Sequence, residues 1–143
     1  MSTFDIIQGI VNLVSIPIAI ITIVIFIRQT KQLDDSTKSQ VYQGLIDNSL
    51  KLDELLIKYP EYRKYVYGSE EITEETSDID KLMGILDFVV DVVDNIVAHE
   101  EFIPKTELRG WQAFSQDLLN QSAVKYYLEQ KGYWYEGTIG KKI

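Results

Sequence analysis

The sequence predicts an all-α protein: a single N-terminal transmembrane helix, continuous with a long helix, and then a small cytoplasmic helical bundle. Three observations predict it. Residues 6–27 carry no charge, and fifteen of the twenty-two are Ile, Leu, Val or Phe. Beyond them, apolar residues return every three or four positions, the period of one helix face. No stretch carries a strand signal, and no repeat interrupts the pattern.

The first element is the apolar run itself. Twenty-two residues of helix rise about 33 Å, enough to cross a hydrocarbon core of about 30 Å. Its fifteen large apolar residues supply about −5 to −9 kcal/mol toward insertion, more than the uncharged polar residues in it oppose. A cleaved signal peptide would want a basic start, a shorter apolar run and a small-residue cleavage site; the chain instead begins MSTFD. Because the segment is apolar nearly all round, it is also a poor soluble core helix.

After the span, RQTKQLDDSTKSQVYQGLIDNSLKLDELLIKY has one glycine, Gly44, and no proline before Pro60. Leu33, Val41, Leu45, Leu52, Leu55 and Leu56 keep helical spacing, so a long helix continues from the bilayer into the domain, with DDST around Asp34–Ser36 as an alternative break. Pro60 ends it and opens the short helix PEYRKY. GSEEITEETSD is an acidic loop ending in Ser77 and Asp78, residue types that cap a helix, with Asp80 suited to the first turn. The next helix spans 78–99, its apolar face built from Leu82, Ile85, Leu86, Val89, Val93, Ile96 and Val97. The chain turns at Pro104; TELRGWQAFSQDLLN forms a fourth helix, and SAVKYYLEQKG a last one, capped by Ser122 and stopped by Gly132.

Residues 1–5 are thus expected as a short external N-terminus, 6–27 as the span and 28–143 as the cytoplasmic domain. Arg28, Lys31 and Lys38 follow the span and no base precedes it, which by the positive-inside rule puts the bundle in the cytoplasm. The 12 basic and 21 acidic residues from Gln32 onward make the domain strongly acidic. Such a domain repels phosphate backbones, so nucleic acid is not expected as a direct partner. The absence of cysteine fits a reducing compartment and excludes thiol chemistry.

Few residues suggest chemistry. His99 is the single histidine, and without cysteine it has no ordinary zinc-ligand set; no Glu-x-x-His pair for a carboxylate-bridged metal site occurs either. It reads as a helix-end histidine facing the negative end of the dipole. No phosphate-binding loop or Ser–His–Asp spacing is recognisable, so no catalytic residue, metal or cofactor is assigned and no enzyme activity is expected. Asp80, Asp87, Asp91 and Asp94 form one stripe along the third long helix, either its wet side or a surface for a basic partner or a divalent cation. The aromatics of VKYYLEQKGYWYEG are expected to pin the chain end onto the core.

The membrane helix holds the sharper signal. At about 100° per residue, Gln8, Asn12, Ser15, Ala19 and Thr22 share an arc of about 80°, with Pro17 on the opposite side among isoleucines. Polar groups left facing acyl chains go unsatisfied, so this arc is expected to face protein or water. With one span per chain, the partner must be another chain. The stripe then acts as oligomerisation glue, or lines the lumen of an oligomeric pore.

LIKYPEYRKYVYG, LMGILDFVVDVVDNIV and WQAFSQDLLNQSAVKYYLEQKGYWY together resemble a family of small bacterial proteins, frequent in cyanobacteria. The family pattern is an N-terminal membrane helix, a P-E-(L/Y)-R-x-Y segment, an apolar LDF helix and a late W…S…WY region. Here these are Pro60, Glu61, Arg63 and Tyr65; Leu86, Asp87 and Phe88; and Trp111, Ser122, Trp134 and Tyr135. The resemblance implies a bacterial inner or other internal membrane, and no particular activity. By architecture alone the chain is similar to the pore-forming membrane accessory of RNA-targeting CRISPR systems, which pairs an N-terminal helix with a HEPN-like bundle. That similarity implies a pore connected with stress or phage defence, but the Arg-to-His spacing of the HEPN nuclease signature is missing. The expected function is therefore a self-associating membrane scaffold or interaction module. A pore is the alternative, and a membrane-tethered enzyme of unrecognised type a second one.

Overall fold

The computed structural model describes residues 3–135 and 137–139; within the first helix, the side chains of residues 3, 5–7 and 9–12 lie outside that description. The described residues are helical or irregular, with no strand among them. Five α-helices follow one another: α1 (Thr3–Lys58), α2 (Arg63–Tyr67), α3 (Ile79–Ala98), α4 (Leu108–Leu119) and α5 (Ser122–Lys131). Short 3₁₀ turns at Pro60–Tyr62, Glu100–Phe102 and Gly132–Tyr135 join or extend them. The chain divides into two compact units, Met1–Ser39 and Gln40–Ile143.

The described residues of the first unit are helix alone. From Leu13 to Ser39 every residue is exposed. By length and composition α1 is the one described helix able to cross a membrane. It continues through Pro17, whose missing N–H frees the Leu13 carbonyl. DDST does not interrupt it. Asp34 pairs with Lys38 one turn on at 2.6 Å, and the Thr37 hydroxyl donates to the Leu33 carbonyl at 2.9 Å. Both short polar side chains are thereby spent on the helix itself and cannot cap a new one.

In the second unit α3 is the central helix. One side of it (Leu82, Ile85, Leu86, Val89, Val90, Val93) packs with Leu52 and Leu56 of α1, Val66 of α2, Leu118 of α4 and Val124 and Tyr127 of α5. A smaller cluster joins its Val92 and Ile96 to Leu45 and Ile103, with Tyr42, Trp111 and Phe114 packed against them. Burial on two sides explains why a helix so rich in β-branched valine is stable: tertiary packing outweighs a propensity cost of at most about 0.7 kcal/mol per residue. Expected Val97 is only half-buried, at the margin of this core.

The helix ends differ in detail from expectation. Asp78 precedes α3 in the left-handed conformation, φ 54°, and its side chain makes no cap bond. Its carboxylate interacts instead with the Tyr62 hydroxyl, whose pKa is raised by burial first and by Asp78 next. Ser122 is the first residue of α5 rather than its cap; Lys125 N–H donates to the carbonyl of Gln121. Gly68 closes α2, where a Cβ would lie 2.6 Å from the Lys64 carbonyl oxygen, so a side chain has no room there. The acidic loop is then fastened at Ser69, whose N–H and hydroxyl both donate to the Gln121 side-chain oxygen, at 2.8 and 2.9 Å.

Candidate functional site

Two groups of residues singled out by sequence can be followed in the structure: the polar stripe of α1 and the aspartate stripe. On α1, Gln8, Ser15, Ala19 and Thr22 are exposed, and the side chain of Asn12 lies outside the described residues. The expectation that all the polar groups of the stripe need an outside partner is corrected at Thr22. Its hydroxyl donates to the Ile18 carbonyl at 2.8 Å, as Thr30 does to Phe26 at 2.9 Å. Ser15 also has an interaction partner. A hydroxyl on a short stem reaches the carbonyl four residues back; the longer Gln and Asn amides have two donors and an acceptor to satisfy. With its hydroxyl turned to its own backbone, Thr22 presents mainly its methyl.

On α3 the aspartates are distributed between water and the chain end. Asp80 is exposed, near the start of the helix. Asp87 accepts a hydrogen bond from the Tyr127 hydroxyl. Asp91 accepts one from the Tyr135 hydroxyl at 2.7 Å, and Asp94 one from Thr138. Three of the four carboxylates thus hold α5, the 3₁₀ turn after it and Thr138 beyond the turn onto α3. Burial, then the hydrogen bond to Asp87, raises the Tyr127 pKa to about 12. Tyr135 is raised further in the same sense, by burial first and then by Asp91. Burial and the neighbouring Asp91 charge raise Asp94, against a smaller opposing pull from His99. These phenols are stabilised in their neutral, donating form, which suits a structural clasp. Of the terminal aromatics, Tyr127 and Tyr135 enter the core, whereas Tyr133 and Trp134 stay exposed and pack edge-to-face on each other at 5.5 Å.

His99 ends α3, its Nδ1 3.0 Å from the Asn95 carbonyl oxygen and its ring 6.0 Å from that of Phe102. Among the described residues no group of three His, Asp or Glu side chains could hold a metal ion.

Sequence reasoning missed an open cleft of about 440 Å³ that includes Asp53, Tyr67, Glu107 and Trp111 in its lining. At its side the Tyr42 hydroxyl donates to Glu107 and accepts from the Trp111 indole at 3.4 Å. The hydrogen bond to Glu107 is the main cause of a raised Tyr42 pKa, while burial and then Asp53 raise Tyr67. Tyr42 and Glu107 are 65 positions apart, so no local pattern could have paired them. The chain matches no protein-family model, no curated protein and no solved structure.

Proposed function

We propose that the protein is a single-pass membrane protein that self-associates along Gln8, Asn12, Ser15, Ala19 and Thr22. Several copies of the helical bundle are then gathered on the cytoplasmic side as a scaffold or interaction module. The observation that carries this reading is the helix from Leu13 to Ser39: long, apolar over its membrane half, and exposed on every side. A long apolar helix whose described residues are all exposed takes lipid, another chain, or both.

Spacing supports the second chain. The five stripe residues are separated by 4, 3, 4 and 3 positions, the seam spacing of a left-handed coiled coil. Ala19, Ser15 and the back-bonded Thr22 are small enough for close approach. Gln8 and Asn12 can hydrogen-bond across the seam, at about 0.6–2 kcal/mol per contact. A hydroxyl turned to its own backbone favours packing over a hydrated lumen, so the pore ranks second. Arg28, Lys31 and Lys38 favour a cytoplasmic bundle.

The test is the mass of the full chain in mild detergent across a range of protein concentrations. The proposal expects an oligomer that Gln8→Leu with Asn12→Leu weakens. A monomer at every concentration refutes it. An intact oligomer whose conductance in a planar bilayer changes with the double substitution transfers the stripe to the pore reading.

A further inference from the structure

The end of α3, the 3₁₀ turn that follows and the inward side of α4 surround a cavity of about 330 Å³. Aliphatic side chains such as Ile96, Ile103 and Leu119 form much of its wall. Ser115 also lines it, and is only 5% exposed. Its Oγ is the one buried side-chain polar atom among the described residues with no hydrogen-bond partner. The threonines of α1 satisfy themselves on the carbonyl four residues back. Ser115, also mid-helix, does not, and bears an uncompensated desolvation penalty.

The side chains of the cavity's buried lining residues offer little to hold water. A buried water needs two to four polar partners, and the buried lining residues Ile96, Ile103 and Ser115 offer one side-chain hydroxyl. The other polar lining residues include Glu100 and Gln112, which are bonded to each other. The volume falls at the low end of small-ligand sites, about 300–1,000 Å³. Among the described residues no cationic side chain lines it, while Glu100 is acidic. An anion is therefore repelled and a neutral molecule is not.

From the cavity and its orphaned hydroxyl we infer that the bundle binds a neutral, mainly apolar small molecule with one hydrogen-bonding head group, which Ser115 engages. This site lies within residues 96–119 and does not depend on the membrane reading. It gives the bundle a ligand of its own.

Equilibrium dialysis of the full chain in lipid nanodiscs tests it, with empty nanodiscs subtracting partition into lipid. The probes are 2-naphthol, naphthalene and 2-naphthoate. The inference expects 2-naphthol to be retained above the empty discs and 2-naphthoate not. Ser115→Ala weakens 2-naphthol about tenfold, the worth of one hydrogen bond, and leaves naphthalene unchanged. Ser115→Leu puts a bulkier apolar side chain into the cavity at the head-group position and weakens retention of both, with helical circular dichroism checking that it folds. No retention of 2-naphthol above empty discs overturns the inference. So does equal 2-naphthol binding by wild type and Ser115→Ala, or retention undiminished by Ser115→Leu in a folded protein.

Discussion

Replacing Tyr135 by Phe isolates one strand of the clasp between α3 and the chain end. The ring is 9% exposed, so the substitution keeps the apolar burial and removes one hydroxyl. That hydroxyl gives Asp91 a bond of 2.7 Å and approaches Asp87 only at 3.5 Å, too long to count for much. A hydrogen bond to a charged group is worth about 1.5–3 kcal/mol. Asp91 is exposed, however, and water replaces its lost donor, so the low end applies: about 1–1.5 kcal/mol. With a urea slope of about 1–3 kcal/mol/M, the unfolding midpoint falls by roughly 0.3–1.5 M. The assay is urea unfolding of the full chain in detergent, followed by tryptophan emission. A double-mutant cycle with Asp91→Asn should return a coupling of about 1 kcal/mol. A midpoint for Tyr135→Phe indistinguishable from wild type, or zero coupling, refutes the assignment of this aspartate to the chain end.

Alkaline pH probes Tyr127. Its folded pKa of about 12 lies above the ordinary 10, so its stabilisation is complete below pH 10 and is lost as pH climbs toward 12. Tyr127→Phe should make that part of the stability profile shallower, the remaining slope coming from Tyr135, measured by thermal melts between pH 9 and 12. Asp94 is shifted the opposite way for a carboxylate, upward, so its contribution is favourable when protonated and lost as pH rises above the acid range. Asp94→Asn keeps an acceptor for Thr138 and removes the charge beside Asp91; its urea midpoint at pH 7 should exceed that of wild type. Gly68→Ala forces a Cβ against the Lys64 carbonyl and should cost about 1–3 kcal/mol in the same urea assay.

The helices were legible because their signals are local. Leu82, Ile85, Leu86, Val89 and Val93 repeat with the period of a buried face, and Pro60 both ends α1 and opens the next turn. What escaped depends on partners far away in sequence. Asp78 looked like a cap but interacts with Tyr62, a residue sixteen positions earlier. The aspartate stripe was legible as a stripe; its bonds to Tyr127, Tyr135 and Thr138 span 40 or more positions and follow from how α5 packs. Thr22 shows a different limit. Its place on the stripe follows from counting residues, but whether its hydroxyl needs a neighbour depends on a rotamer. The spacing of Gln8, Asn12, Ser15, Ala19 and Thr22 needs only a continuous helix, which α1 supplies.

Single-cysteine cross-linking in lipid addresses self-association most directly, against the clean background of a chain without cysteine. Cysteines placed at Ser15, Ala19 and Thr22 should form disulfide-linked dimers on mild oxidation, while those at Leu13 and Val24, about 140–160° round the helix from Gln8, should not. Equal cross-linking at all five positions, or none at any, contradicts the stripe as the contact between copies.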